Sequence, residues 1–109
     1  MAIEAKRETV MGKYVYIYFG GSGEDSGSAE DWGKWFGQLG EKIVDPGNQF
    51  GHNGKAVHAG GVMDVKEMPA TGYSIVTADT MEQATEMAKG CPLTGSTNGA
   101  VCVYEAMPM

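Results

Sequence analysis

His58 is the side chain best suited to move a proton. It stands just before Gly60-Gly61, and Asp64 and Glu67 follow shortly after. A carboxylate that orients one ring nitrogen leaves a neutral imidazole usable as a general base near neutral pH. On that logic His58 and Asp64 form the candidate catalytic pair, with Tyr16 in support. The plain alternative is a surface or edge-strand histidine with no task. His52, beside Asn53-Gly54, reads as solvated. His52 and His58 together would give a metal only two ligands, short of a usual protein site, so no metal and no cofactor is expected. Tyr14, Tyr16 and Tyr18 recur at alternate positions. If their side of a strand faced a partner subunit, their hydroxyls would need acceptors there or would wall a polar cavity. Trp32, Trp35 and Phe36 fall at helical spacing, which suits a core and also suits the wall of an aromatic pocket. A ligand site lined by Tyr16, Trp35 and His58 is therefore the binding expectation.

Other patterns carry less. Gly21-Ser22-Gly23 lies between a strand and a helix, as a phosphate loop does. It lacks the third glycine and the lysine of such loops, and Glu24 and Asp25 would repel phosphate. Cys91 and Cys102 read as a reduced thiol near a helix end and a small apolar strand residue. The eight methionines show no metal-binding pattern and suit irregular packing.

Composition narrows the partners. The chain has 109 residues, 42% of them hydrophobic and 20% charged, which suits one globular domain. Eight Lys and Arg stand against 14 Asp and Glu, for a net charge of −6. Nucleic acid and anionic membranes need clustered positive charge, so neither is expected as a partner. No apolar run approaches the ~20 residues that span a bilayer. The N-terminus is mixed in charge without an apolar signal core, so a cytoplasmic protein is expected.

The elements that must position these residues follow from pattern. Residues 1–12 read as an arm and 13–109 as one domain. Residues 13–19 form a strand that is apolar or aromatic on both sides, which predicts cover on both. Ser28 caps a helix with Glu30 and Asp31 in its first turn, running to Ile43 or Val44. Gly33, Gly37 and Gly40 share one flank of it, as if another backbone came close. Asn53-Gly54 predicts a hairpin with arms at 50–52 and 55–58, followed by a bulge or bend at Ala59-Gly60-Gly61. Residues 72–78 form a strand. A helix follows, boxed by Asp79 with Glu82 or by Thr80 with Gln83. Its inner face would be Met81, Ala84, Thr85 and Ala88. Gly90 suits a left-handed position past its end, Pro92 stops it, and residues 99–106 form the last strand. The order β-α-β-β-α-β predicts an α+β, ferredoxin-like antiparallel sheet with two helices on one face. The helix-free face would be too apolar for a monomer, so a homodimer packed sheet to sheet is expected.

Over residues 13–107 the chain resembles the YCII-related family of dimeric α+β barrel proteins. The resemblance rests on Tyr14-Val15-Tyr16-Ile17-Tyr18, on Trp32 to Leu39, on Gly72-Tyr73, and on Ala78-Asp79 with Glu82-Gln83-Ala84. It continues through Ala88-Lys89-Gly90-Cys91-Pro92, its most specific block, and Val101-Cys102-Val103-Tyr104-Glu105. Many members carry Thr-Asp-Gly-Pro-Phe before the third strand. Here the segment reads His58-Ala59-Gly60-Gly61-Val62, followed by Met63-Asp64-Val65-Lys66-Glu67. The glycine and the Lys-Glu pair match, while the Asp, Pro and Phe do not. The resemblance implies a homodimer with a cleft for a small molecule. In some relatives it implies a catalytic His–Asp pair, whose Asp position is Ala59 in this chain. The expected function is a small-molecule-binding homodimer. The alternatives are a cofactor-independent enzyme on a small, aromatic substrate with His58 as acid–base group, and a structural or regulatory dimer without a pocket.

Overall fold

A computed structural model describes residues 12–20, 27–51, 53–65, 69–96 and 98–108. Most of the expected arm, the glycine-rich linker at 21–26, His52 and residues 66–68, with Glu67, lie outside that set.

The first strand, β1 (Gly12–Phe19), is built from aromatic and β-branched residues. Helix α1 (Ala29–Leu39) starts at Ser28 through a reciprocal box: Asp31 N donates to Ser28 Oγ at 3.1 Å, and Ser28 N donates to Asp31 Oδ2 at 3.4 Å. The helix ends earlier than its apolar stripe predicts. Gly40 takes φ +55, and a single 3₁₀ turn over Gly40–Lys42 leads into β2 (Ile43–Asp45). Ile43 thus serves the core from a strand and not from the helix. Strands β3 (Lys55–His58) and β4 (Gly61–Asp64) form a separate hairpin. Then come β5 (Ala70–Ala78), α2 (Met81–Ala88), a 3₁₀ turn over Pro92–Gly95, and β6 (Ala100–Ala106).

The main sheet is antiparallel with order β2-β5-β1-β6. Among the described residues, two helices beside a four-stranded antiparallel sheet make the chain α+β. Among the described residues, no helix is long and apolar enough to cross a membrane.

Register decides which side chains share a face. Tyr14 pairs with Val76, Tyr16 with Ser74, and Tyr18 with Gly72, and all six are buried. Trp35 and Leu39 of α1 and Ala84 and Ala88 of α2 close over them, with Cys91 and Leu93. The three tyrosines therefore face the chain's own helices and not an open side. Two of the three hydroxyls find acceptors within the chain. Tyr16 Oη donates to Ala84 O at 2.6 Å, and Tyr18 Oη donates to Ser74 Oγ at 2.7 Å. Ser74 Oγ passes its own hydrogen to Pro46 O at 2.6 Å. Trp35 Nε1 donates to Met87 O at 2.9 Å, which ties α1 to α2. Each such bond adds ~1 kcal/mol net, and orphaning one end costs ~1–3 kcal/mol.

The opposite face carries Val15, Ile17, Phe19, Ile75 and Cys102, all half-buried, with Tyr104 58% exposed. Among the described residues, helices cover β1 on one side only.

Several local expectations change. The hairpin turns at Ala59-Gly60, with His58 opposite Gly61 and Lys55 opposite Asp64, and not at Asn53-Gly54. Phe50 is no hairpin arm: its N–H donates to Thr71 O at 2.9 Å, extending the sheet. Of the two boxes expected at α2, it is Thr80 with Gln83 that forms: Thr80 Oγ1 accepts from Gln83 N at 3.0 Å, while Gln83 Oε1 accepts from Asp79 N at 2.6 Å. The inner face of α2 is Ala84, Met87 and Ala88; Met81 and Thr85 are exposed. Gly90 keeps negative φ. Its glycine is explained by Trp35, whose Cδ1 would lie 3.0 Å from an added Cβ.

Among the described residues, no other backbone approaches Gly33, Gly37 or Gly40, since a Cβ at each meets nothing within 4 Å. Gly37 sits inside α1, so Gly37→Ala should raise stability by about 0.5–1 kcal/mol. Gly47 has φ +82, and an added Cβ would fall 1.6 Å from Tyr73 O. Gly47→Ala should therefore cost at least ~2 kcal/mol. Urea unfolding of the two variants checks the opposite signs.

Candidate functional site

The apolar stripe of α1 extends beyond the part of it that is buried. Trp35 and Leu39, at its centre, are buried, while Trp32 and Phe36, at its margin, are half-buried. The margin borders a cleft of about 1340 Å³ between α1, residues 46–51 and 53–55, and the first residues of β5. Tyr18 and Gly72 contribute from the sheet. Gln49, Asn48 and Asn98 bring amides to the rim.

The rim is held by ordinary backbone chemistry. Asp45 Oδ1 accepts from Gly47 N at 2.9 Å, folding an Asx turn. Tyr73 N donates to Asn48 O at 3.2 Å, and Gln49 bridges Gly72. Tyr73 Oη reaches Asp45 Oδ2 at 3.4 Å, and the Tyr73 ring stacks on Phe50 at 5.8 Å. The segment from 45 to 50 thus lies against β5 as an extra sheet margin, while α1 stands on the far side of the cleft.

Tyr16 and Trp35 are in the core. Tyr16 is fully buried and Trp35 is 2% exposed, and both polar atoms are spent on α2 carbonyls. Burial, aided by the neighbouring Cys91 thiol, pushes the Tyr16 phenol up to about 12. Burial likewise raises Cys91 to about 11 against a weaker downward pull from a Leu93 backbone hydrogen bond. Tyr18 is raised as well, again by burial first. A phenol and a thiol so displaced stay neutral near pH 7 and supply neither acid–base nor nucleophilic chemistry.

His58 lies on the hairpin and is exposed. Its Nδ1 accepts from Gly60 N at 3.1 Å, so a neutral ring carries its proton on Nε2 and its basic lone pair is engaged. Asp64 is ion-paired with Lys55, the residue opposite it. Alternation along the hairpin puts Ala56, His58 and Met63 on one side and Lys55, Val57, Val62 and Asp64 on the other. His58 and Asp64 therefore project to opposite sides. The structure brings Tyr16 and Trp35 together, with ring centroids 5.9 Å apart, but it does not bring His58 to them or Asp64 to His58. None of these four residues lines the cleft among its described residues.

Tyr18, Trp32 and Phe36 line it instead. Their signal was present in the marginal position of Trp32 and Phe36 on the stripe and in the glycine-rich run from Gly47 to Gly54. Compared with family models, with curated proteins and with solved structures, the chain matches none.

Alkaline pH should weaken the fold. Tyr16 rises from 10.0 to about 12 and Cys91 from 9.0 to about 11 on folding. The folded chain therefore holds protons that the unfolded chain has released. Stability from these groups is complete below about pH 9 and is lost as pH climbs through 11 to 12. Urea midpoints should fall over that interval, and Tyr16→Phe should flatten the fall.

Proposed function

We propose that the chain is a YCII-like, cytoplasmic homodimer that binds a small molecule in the cleft beside Trp32 and Phe36. The cleft carries the proposal: partly exposed aromatic side chains border a concavity with a few convergent amides, the usual composition of a ligand site. The order β2-β5-β1-β6, with both helices on one face, supports the ferredoxin-like topology that the family resemblance implies. The half-buried apolar face of Val15, Ile17, Ile75 and Tyr104 supports a second copy packed sheet to sheet, since a soluble chain gains by covering such a patch. The unpaired thiols Cys91 and Cys102 fit a reducing compartment.

Two measurements test this. Sedimentation velocity at micromolar concentration should report dimers. Ile17→Lys, on the helix-free face, should give monomers with unchanged far-UV circular dichroism; a monomeric wild type would remove the dimer. A ring-fragment library screened by NMR should give competing hits that shift the Trp32 indole N–H. A library that leaves that signal still would remove the binding function.

A further inference from the structure

We infer that the fold leaves Asn53, and not Asn98, as a site of spontaneous chemical modification: Asn53 deamidates through Gly54 and places a carboxylate on the rim of the cleft. The sequence holds two Asn-Gly pairs, Asn53-Gly54 and Asn98-Gly99. In such a pair the glycine has no Cβ to keep its nitrogen away from the asparagine side chain. Once that nitrogen gives up its proton to hydroxide, it attacks Cγ. The N–Cγ bond forms, the Cγ–Nδ2 bond breaks, and Nδ2 takes a proton from water and leaves as ammonia. Water then opens the cyclic imide and restores the glycine N–H. Opening at Cγ leaves aspartate. Opening at the main-chain carbonyl leaves isoaspartate, whose backbone runs through Cβ and Cγ. The sum is one water taken up and one ammonia released, with no change of oxidation state and no ligand in the cleft required.

The two pairs sit in different surroundings. Asn53 and Gly54 are both exposed and precede the first strand of the hairpin. A Cβ on Gly54 would meet the Val65 side chain at 3.6 Å, an ordinary contact, so the main chain has room to turn. Asn98-Gly99 is wedged. Asn98 N donates to Ser96 Oγ at 3.2 Å, and Gly99 N donates to Ser96 O at 3.5 Å. A Cβ on Gly99 would lie 2.5 Å from Leu93 O, and one on Gly20 would lie 1.8 Å from Asn98 O. The attacking nitrogen there is turned to Ser96, and ring closure would first have to break the packing on both sides. Asn53, Gly54 and Lys55 all line the cleft. Deamidation trades an amide, which donates and accepts, for a carboxylate, which accepts alone, two residues before Lys55. The isoaspartate form also lengthens the backbone beside Gly54 O, which accepts from Val65 N at 3.1 Å at the foot of the hairpin. An aged chain therefore carries a charge at the cleft that a new chain lacks.

Trypsin isolates Asn53 in residues 43–55 and Asn98 in residues 90–109, so each pair is its own probe and the other is its control. The full chain is incubated for days, folded or in guanidinium chloride, and samples are digested and weighed by mass spectrometry. Electron-transfer fragmentation places the mass gain on Asn48 or Asn53 and tells isoaspartate from aspartate. In the folded chain Asn53 should deamidate at least tenfold faster than Asn98, and faster as pH rises. In guanidinium chloride the two rates should converge. Gly54→Ala should slow the folded-state reaction at Asn53 at least fivefold. Equal rates at the two sites in the folded chain overturn the inference. So does an Asn53 that stays intact in the folded chain but reacts in guanidinium chloride, and so does a tenfold gap that survives unfolding.

Discussion

Two buried phenols on one side of one strand, Tyr16 and Tyr18, constrain the whole fold. A tyrosine ring gains by burial, but its hydroxyl loses unless an acceptor is waiting. Tyr16 finds one on α2, at Ala84 O, and Tyr18 finds one on β5, at Ser74, which is itself satisfied by Pro46 O. These acceptors exist only if α2 lies across β1 and the chain beyond β2 returns beside β5. The helices must therefore cover the tyrosine side. The cost is the other side, where Val15, Ile17, Ile75 and Tyr104 receive no helix.

The same constraint shapes the cleft. Trp35 is locked between the tyrosines and the Met87 carbonyl, which sets the rotation of α1. Once that rotation is fixed, the residues three before and one after Trp35, which share one flank of the helix, reach the margin. Trp32 and Phe36 are those residues. Their partial exposure follows from packing around Trp35, so the aromatic wall stands ready-made and is not assembled by a ligand. Gly47 completes the opening, since only a glycine lets the chain turn at φ +82 so close to Tyr73 O.

Much of this was legible in the sequence. Alternation placed β1, β5 and β6 within a residue or two, and the caps at Ser28 and Thr80 were readable from side-chain chemistry alone. The hairpin was misplaced because Asn53-Gly54 is a strong local signal that tertiary pairing overrides. Gln49 and Phe50 are drawn to Gly72 and Thr71, which leaves Ala59-Gly60 to make the turn. Ile43 kept the helical period but went to a strand, because a positive φ at Gly40 breaks the helix before it. The site was less legible than the fold. His58 and Tyr16 attract notice by residue type, yet chemistry depends on exposure and neighbours, and pattern gives neither. One sits in water on a hairpin side that Asp64 does not share, and the other is sealed in the core.

The central claim is that the tyrosine stripe faces α1 and α2. The most direct measurement is a set of nuclear Overhauser contacts from the Tyr16 ring in isotope-labelled protein. The account predicts cross-peaks to the Ala84 and Ala88 methyls and to the Trp35 indole. Tyr16 cross-peaks confined to the Ile17, Ile75 and Tyr104 side, with none to either helix, would contradict it.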